Sequence, residues 1–126
     1  MSQENELPPW LKEQISRLQQ LQQNLQAIMM QKQQIELEIV ETERALEELS
    51  KTNTSDSIYK AAGPLLIKSE KDPIEKELTE KKELANTRVM VLGKQELRVK
   101  ENLKEVENKI NQMLKGTQST QSTTQK

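Results

Sequence analysis

The stretch that decides the fold lies in the middle of the chain, at residues 58–68, and reads Ile58-Tyr59-Lys60-Ala61-Ala62-Gly63-Pro64-Leu65-Leu66-Ile67-Lys68. Two short apolar runs flank Gly63-Pro64, a pair that is typical of turns. Pro64 has no N–H for a neighbouring strand, so it suits the start of an edge strand. We therefore predict a β-hairpin with strands at 57–62 and 65–69, within a region at 52–72 that separates two helices.

A heptad pattern precedes this region. Residues 10–51 contain neither Gly nor Pro, and most a and d positions of a heptad that starts at Leu11 are apolar. The a positions are Leu11, Leu18, Leu25, Lys32, Ile39 and Leu46, and the d positions are Gln14, Leu21, Ile28, Ile35, Thr42 and Leu49. A pattern sustained over so many heptads predicts a long coiled-coil helix.

A second heptad segment follows the hairpin region, at residues 73–115. Its d positions are Leu78, Ala85, Leu92, Val99, Val106 and Met113, and its a positions are Glu75, Lys82, Val89, Glu96, Leu103 and Ile110. We predict Asp72 as the N-cap, Pro73 at the first helical position and Glu75 as the partner in a capping box. Gly116 stands where a glycine cap would end the helix.

Two helices of nearly equal length with a chain reversal between them predict an antiparallel coiled coil. In the register that we favour, Leu11 faces Met113 and Leu46 faces Leu78. Lys32 and Glu96 then occupy adjacent layers, and we expect an ion pair that fixes the register at some cost in stability. Contact of these two charges with a bound ligand is the alternative.

The remaining segments are polar. Residues 1–9 form a flexible N-terminus that ends in Pro8-Pro9, and residues 116–126, rich in Thr, Gln and Ser, are predicted to be a disordered tail. Residues 10–115 therefore form a single domain. The predicted fold class is mostly α, a long antiparallel two-helix coiled coil with a β-hairpin between the helices.

Composition argues against several classes of function. The chain has no Cys and no His, so disulfides, thiolate nucleophiles, Cys-based metal sites and His-based catalysis are excluded. No phosphate-binding glycine motif is present either. We therefore expect a protein that is not an enzyme and has no cofactor and no metal. The net charge of −1 argues against nucleic acid as a partner.

Location is predicted from two further features. No apolar run approaches the ~20 residues of a membrane-spanning helix. The first residues have neither the basic nor the apolar part of a signal peptide. We expect no membrane partner and a cytoplasmic protein.

The hairpin predicts assembly. A single hairpin is marginally stable in water and leaves its edges unpaired. We expect hairpins from several chains to pair and close a β-barrel hub. The residues predicted to form this assembly element are Ile58, Tyr59, Gly63, Leu65, Leu66 and Ile67.

Ile58-Tyr59-Lys60, Gly63 and Leu65-Leu66-Ile67, placed between two equal coiled-coil arms, resemble the β-type subunits of the prefoldin family. The second arm agrees with the resemblance in Glu77-Leu78, Arg88, Leu92 and Lys94-Gln95-Glu96. The resemblance extends from about Trp10 to Lys115, and it favours the archaeal form. One hairpin rather than two indicates the β type.

The resemblance implies an ATP-independent co-chaperone, a hexamer of two α-type and four β-type subunits. Its arm tips hold unfolded polypeptide and pass it to a group II chaperonin. A structural coiled-coil tether or scaffold without client binding is the alternative. Deleting the hairpin separates the two, because a tether would keep its oligomeric state without it.

Client contacts are expected at and near the free ends of the two helices, and we call residues 10–25 and 103–115 the tip. Most a and d residues there hold the helices together, whereas Met is adaptable and suits promiscuous surfaces. The residues predicted to bind client are Trp10, Ile15, Met29, Met30, Ile110, Met113 and Leu114.

Overall fold

The computed structural model of the chain describes the backbone of residues 7–124 and the side chains of residues 7–116. The elements follow in the predicted order: helix α1 (Pro9–Ser50), strand β1 (Ile58–Ala62), strand β2 (Leu65–Ser69) and helix α2 (Lys71–Thr124). Most of the N-terminus that was predicted to be flexible, residues 1–6, lies outside the described residues, as do residues 125–126.

Helix α1 begins and ends with satisfied backbone groups. Pro9 is its first residue, where a missing N–H costs nothing. The carbonyl of Pro8 accepts hydrogen bonds from the backbone N–H groups of Leu11 and Lys12, each at 3.0 Å. At the other end, the hydroxyl of Thr52 donates to the carbonyl of Leu49 at 2.7 Å. These bonds limit fraying at the two ends of the helix.

Helix α2 differs from the prediction at both ends. It begins at Lys71, so Asp72 is not the N-cap but lies in the first turn, where its carboxylate suits the positive end of the helix dipole. Pro73 remains in the first turn, among residues whose N–H groups lack intrahelical acceptors. The helix continues through Gly116 to Thr124, so the predicted glycine cap is wrong. The disordered tail at residues 116–126 stays a prediction.

The hairpin forms with a two-residue loop. Strands β1 and β2 are antiparallel, with Ile58 opposite Ser69 and Ala62 opposite Leu65. Gly63 has φ of 60°, and a side chain at this position would be strained. Proline holds φ negative at the next position. A positive φ at the first loop residue only is the pattern of a type II′ turn, which matches the twist of hairpin strands.

The chain divides into two compact units, which we describe separately. Of the described residues, the hairpin unit comprises residues 30–93, and the tip unit comprises residues 7–29 and 94–124. In the hairpin unit the buried residues are Thr42, Leu49 and Ala85, and in the tip unit they are Leu11, Leu103 and Val106. All six are predicted a or d residues, as expected for a coiled coil.

The heptad prediction holds along α1, where every a and d residue is buried or half-buried. In the hairpin unit, Lys82 Nζ lies 3.5 Å from Glu43 Oε1 on the other helix. Glu43 follows Thr42, which the predicted register places opposite Lys82, so this ion pair agrees with the register. The predicted a position at Glu75 is wrong, because Glu75 is exposed and the preceding residue, Ile74, is half-buried instead. Ile74 is turned towards the hairpin, where it lines a groove with Leu78.

Candidate functional site

The hairpin displays apolar side chains on its surface. Tyr59, Leu65, Leu66 and Ile67 are all at least half exposed, and Leu66 reaches 73%. Ile58 is half-buried. Because Leu65, Leu66 and Ile67 are consecutive, they point to both faces of the strand. The hairpin therefore has two faces, both of which gain from being covered.

The strand register explains why these side chains stay uncovered within one chain. Ala61 lies opposite Leu66, and Ala62 lies opposite Leu65. Directly opposite residues are the pairs that cover each other on a sheet face, and alanine has little surface to offer. Within the described residues the sheet contains two strands, so each strand also has a free edge. Free edges accept further strands.

Polar contacts hold the hairpin to the helices. Lys60 Nζ lies 2.6 Å from Glu77 Oε1, which joins β1 to α2. Lys71 Nζ donates a hydrogen bond to the carbonyl of Thr52 at 2.8 Å, across the hairpin region. The loop after α1 is closed by the backbone N–H of Asn53, which donates to Asp56 Oδ2 at 2.8 Å. These contacts orient the hairpin against the helix ends.

A groove of about 510 Å³ lies between β1 and the hairpin-proximal ends of the two helices. Leu49, Ile58, Tyr59, Ile74 and Leu78 provide its apolar lining. It is open to solvent on one side, so the hairpin base is not a sealed core. The predicted assembly residues Ile58 and Tyr59 thus belong to both the hairpin and the groove wall.

The predicted client-binding residues differ in their exposure. Met29 and Leu114 are exposed, whereas Trp10, Ile15, Ile110 and Met113 are half-buried. These six lie in the tip unit. Met30 is the most exposed of the predicted set at 68%, but it lies in the hairpin unit, so the structure does not bring all seven together.

Gln14 is a feature of the tip unit that the sequence pattern did not reveal. It occupies a d position, and its side-chain oxygen Oε1 is buried without a hydrogen-bond partner. Among the described side chains, no other N or O atom is buried in this way without a partner. A buried polar atom without a partner costs about 1–3 kcal/mol. We therefore expect this layer to stabilise the tip less than an apolar layer would.

The two residues of the predicted register pair lie in different units. Lys32 is half-buried in the hairpin unit. Glu96 lies in the tip unit, where its side chain is 13% exposed and its Oε1 is 3.2 Å from Lys100 Nζ. Both positions are partly enclosed, as seam positions should be. Direct pairing of Lys32 with Glu96 remains a prediction.

Sequence reasoning missed a group of apolar residues outside the seam. These residues are Leu37, Val40, Leu84, Met90, Val91 and Leu97, and all are exposed. The signal was available in the sequence, because each falls on a b, c or f position of the heptad. Such positions are usually polar on a solvated coiled coil.

Two searches of the described residues concern other classes of site. Between residues 7 and 124, neither helix contains a stretch apolar enough to span a bilayer. Over the same part of the chain, acidic side chains do not gather into a group that could hold a metal ion.

Comparison with known proteins gives consistent matches. A family model described as "Prefoldin subunit" matches residues 12–117. The chain is 43% identical to prefoldin subunit beta of Archaeoglobus fulgidus over 109 residues, 86% of this chain and 94% of that one. It is 38% identical to prefoldin subunit beta of Thermococcus onnurineus over 111 residues, 88% of this chain and 96% of that one.

The structure gives the same result as the sequence. It matches the crystal structure of the prefoldin beta subunit from Thermococcus strain KS-1 with a TM-score of 0.78 at 35% identity, over 86% of this chain and 96% of that one. Two long helices joined by one antiparallel hairpin are therefore the fold of that protein too. The chain belongs to the prefoldin family of chaperone subunits, and within it resembles the β-type subunits of archaea.

Proposed function

We propose that this chain is a subunit of an ATP-independent co-chaperone, which holds unfolded polypeptide and delivers it to a group II chaperonin. Membership of the prefoldin family supports a co-chaperone role and assembly with other prefoldin subunits. The observation that carries the proposal is the exposed apolar surface of the hairpin. A tether needs the two helices but has no use for such a surface.

The hairpin is the assembly element in this proposal. Its exposed leucines and isoleucine on β2 cost free energy in water, at about 25 cal/mol for each Å² of apolar surface. Pairing with strands of neighbouring chains removes this surface from water and satisfies the free edges. A β-barrel hub closed by two α-type and four β-type chains achieves both.

The tip is the client-binding element. Leu114 of the tip and the nearby Met29 are exposed, and the half-buried Trp10 and Ile15 add apolar surface on the N-terminal side. Contacts of this kind are weak singly and unselective in sequence, which suits unfolded chains. Several arms joined at one hub raise the effective concentration of tips, so the whole assembly holds a client firmly.

Neither capture nor assembly requires nucleotide in this mechanism. Burial of apolar surface drives capture, and a chaperonin partner that uses ATP drives release. We place this activity in the cytoplasm, where unfolded chains and a group II chaperonin meet.

The test uses the chain assembled with an α-type prefoldin subunit. A chemically unfolded protein is diluted into buffer, and its aggregation is followed by light scattering. We expect the complex to suppress scattering at near-stoichiometric amounts, with and without ATP. Subsequent addition of a group II chaperonin and ATP should yield native client.

Native mass spectrometry of the same sample provides the control for assembly. An intact complex that leaves client aggregation unchanged would contradict client holding and favour the tether. Suppression of aggregation without transfer to the chaperonin would contradict delivery alone.

A further inference from the structure

The middle of helix α2 contains a run of weak helix formers at residues 86–93, which we call the weak segment. It reads Asn86-Thr87-Arg88-Val89-Met90-Val91-Leu92-Gly93. Five of these eight residues, the Asn, the Thr, the two Val and the Gly, stand in the lower part of the scale of helix propensity. The β-branched side chains lose rotamer freedom in a helix, and glycine loses the most backbone entropy. Local preference therefore opposes the helix here.

The glycine at position 93 is not required by the structure. Gly93 does not have the positive φ that Gly63 has. A Cβ added to it would meet nothing within 4 Å beyond its own part of the helix. Alanine would therefore fit at this position without strain and would favour the helix. The glycine weakens α2 without relieving a clash.

Two further features loosen the same turns. The hydroxyl of Thr87 donates to the carbonyl of Glu83 at 3.1 Å. A threonine bond of this kind slightly destabilises a helix and often bends it. Arg88 is the one charged residue of the weak segment, and the residues three and four positions away from it are apolar. Ion pairs along the helix, such as that between Glu96 and Lys100 at 3.2 Å, are therefore not possible at Arg88.

Burial in the seam is also low around the weak segment. Ala85 and Leu103 are buried, but no residue of α2 between them is. Within the weak segment, Val89, Leu92 and Gly93 are half-buried and the other five residues are exposed. Most of the stability of a helix in a protein comes from packing of its apolar face. Neither local preference nor burial therefore holds these turns strongly.

The stretch of α1 that the predicted register places opposite the weak segment is different. Residues 31–38 read Gln-Lys-Gln-Gln-Ile-Glu-Leu-Glu, and seven of these eight are strong helix formers. We expect α1 to stay helical here when turns of α2 open.

We propose that residues 86–93 form a hinge, at which α2 opens and recloses while α1 and the rest of α2 stay folded. An opened turn lengthens α2, because an extended residue rises about 3.3 Å and a helical residue about 1.5 Å. Since α1 keeps its length, the coiled coil then bends. The use of the hinge rests on the proposed function: arms that bend reach apolar segments at different places on one unfolded client, so that several weak contacts act together.

Hydrogen exchange followed by mass spectrometry tests the hinge in the chain assembled with an α-type subunit. Exchange of backbone N–H groups reports local opening. Residues 97–104 of the same helix are the matched comparison, because Val99 and Asn102 are their only weak helix formers. After correction for intrinsic rates, we expect the weak segment to exchange at least about tenfold faster than residues 97–104, given its lower helix propensity and its glycine.

Alanine substitutions provide the second arm of the test. Gly93→Ala should slow exchange of the weak segment about fivefold, as for replacement of glycine inside a helix. Asn86→Ala and Thr87→Ala, added to Gly93→Ala, should slow it further, and all three changes lie outside the a and d positions. Asn102→Ala is the control: it replaces a weak helix former elsewhere in α2 and should leave exchange of the weak segment unchanged.

The chain with all three alanines also tests the use of the hinge. Its complex should keep its subunit composition in native mass spectrometry. We expect several-fold more of this complex than of the natural one to be needed for half suppression of client aggregation, because arms that bend less make fewer contacts with one client.

The outcomes separate the hinge from the proposed function. Equal exchange at residues 86–93 and 97–104, or exchange that the three alanines leave unchanged, would overturn the hinge. Slower exchange with undiminished client protection would overturn its role in capture. A natural complex that does not suppress aggregation would contradict the proposed function, while the exchange rates still decide whether the hinge exists.

Discussion

The hairpin unit and the tip unit each contain a seam of a and d residues, but they differ in the apolar side chains that they expose. In the hairpin unit, Lys60–Glu77 and Lys82–Glu43 tie elements together, while exposed apolar residues occupy both the hairpin and the outer helix sides. In the tip unit, Met29, Leu97 and Leu114 are exposed, and the seam contains Gln14, whose Oε1 is buried without a hydrogen-bond partner. The hairpin unit is therefore stabilised when its exposed apolar side chains are buried. The seam of the tip unit contains a polar atom that we expect to lower its stability.

The largest effect should come from the hairpin. Replacing Leu65 and Ile67 with Ser removes two exposed apolar side chains of β2 without touching either helix. We expect the oligomer to fall apart into monomers or dimers, because burial of these residues drives assembly. Sedimentation velocity would show the loss, and circular dichroism would show that helix content is kept.

Lys68→Ser is the matched control on the same strand, since Lys68 is exposed and polar. It should leave the sedimentation coefficient unchanged. If the Leu65→Ser and Ile67→Ser chain sedimented like the natural one, the hairpin would not be the assembly element.

The next largest effect concerns the seam of the tip unit. Gln14→Leu removes the unpartnered oxygen and supplies an apolar d residue. We expect the free energy of unfolding to rise by about 1–2 kcal/mol, since a buried polar atom without a partner is costly. Urea denaturation at fixed protein concentration measures this, because assembly makes stability depend on concentration.

Thr42→Val provides the comparison in the hairpin unit. The Thr42 hydroxyl is buried but donates to the carbonyl of Glu38 at 2.7 Å, so it is satisfied. We expect no rise in the free energy of unfolding, because the hydrogen bond that is lost contributes about 0.5–1.5 kcal/mol. Equal shifts for Gln14→Leu and Thr42→Val would show that the two units do not differ in this respect.

Much of the fold could be predicted from sequence, and the heptad shows why. The heptad period alone predicted that Leu11, Thr42 and Leu49 lie in the seam. The turn at Gly63-Pro64 predicted the bounds of both strands to within one residue. The prediction considered only the a and d positions, so the exposed apolar residues at b, c and f positions were overlooked.

Tertiary contacts account for the other differences. Ile74 rather than Glu75 is enclosed because the first turn of α2 packs against the hairpin. A heptad pattern does not predict this contact. The contacts of Lys60 with Glu77 and of Lys71 with Thr52 join residues far apart in sequence. The helix continues past Gly116 because glycine permits a cap without requiring one.

A smaller effect is expected from the predicted register pair. Lys32→Leu or Glu96→Leu alone leaves one charge in a partly enclosed layer, whereas the double change leaves none. We expect a coupling free energy of at least about 0.5 kcal/mol between the two positions in a double-mutant cycle. Lys100 also contacts Glu96, so Lys100→Ala is included to separate its share. Additive effects of Lys32→Leu and Glu96→Leu would argue against the register.

The smallest effect is expected from the contact between Lys60 and Glu77. Both side chains are about half exposed, and exposed ion pairs contribute about 0.2–1 kcal/mol. Lys60→Ala should therefore lower the free energy of unfolding by no more than about 1 kcal/mol, and added salt should reduce the difference. A loss of several kcal/mol, or the loss of the oligomer, would mean that this contact fixes the hairpin far more strongly than its exposure implies.

The central claim is that assembly belongs to the hairpin and client capture to the tip. A chain trimmed to residues 18–107 tests it most directly, because it removes both ends of the tip together and leaves the hairpin unit whole. The trimmed chain is combined with an α-type subunit and compared with the full-length complex by native mass spectrometry and by suppression of client aggregation. We predict the same subunit composition for both complexes, with protection of the unfolded client lost in the trimmed one, whether or not ATP is present. A trimmed complex that protects the client as well as the full-length one would contradict the claim.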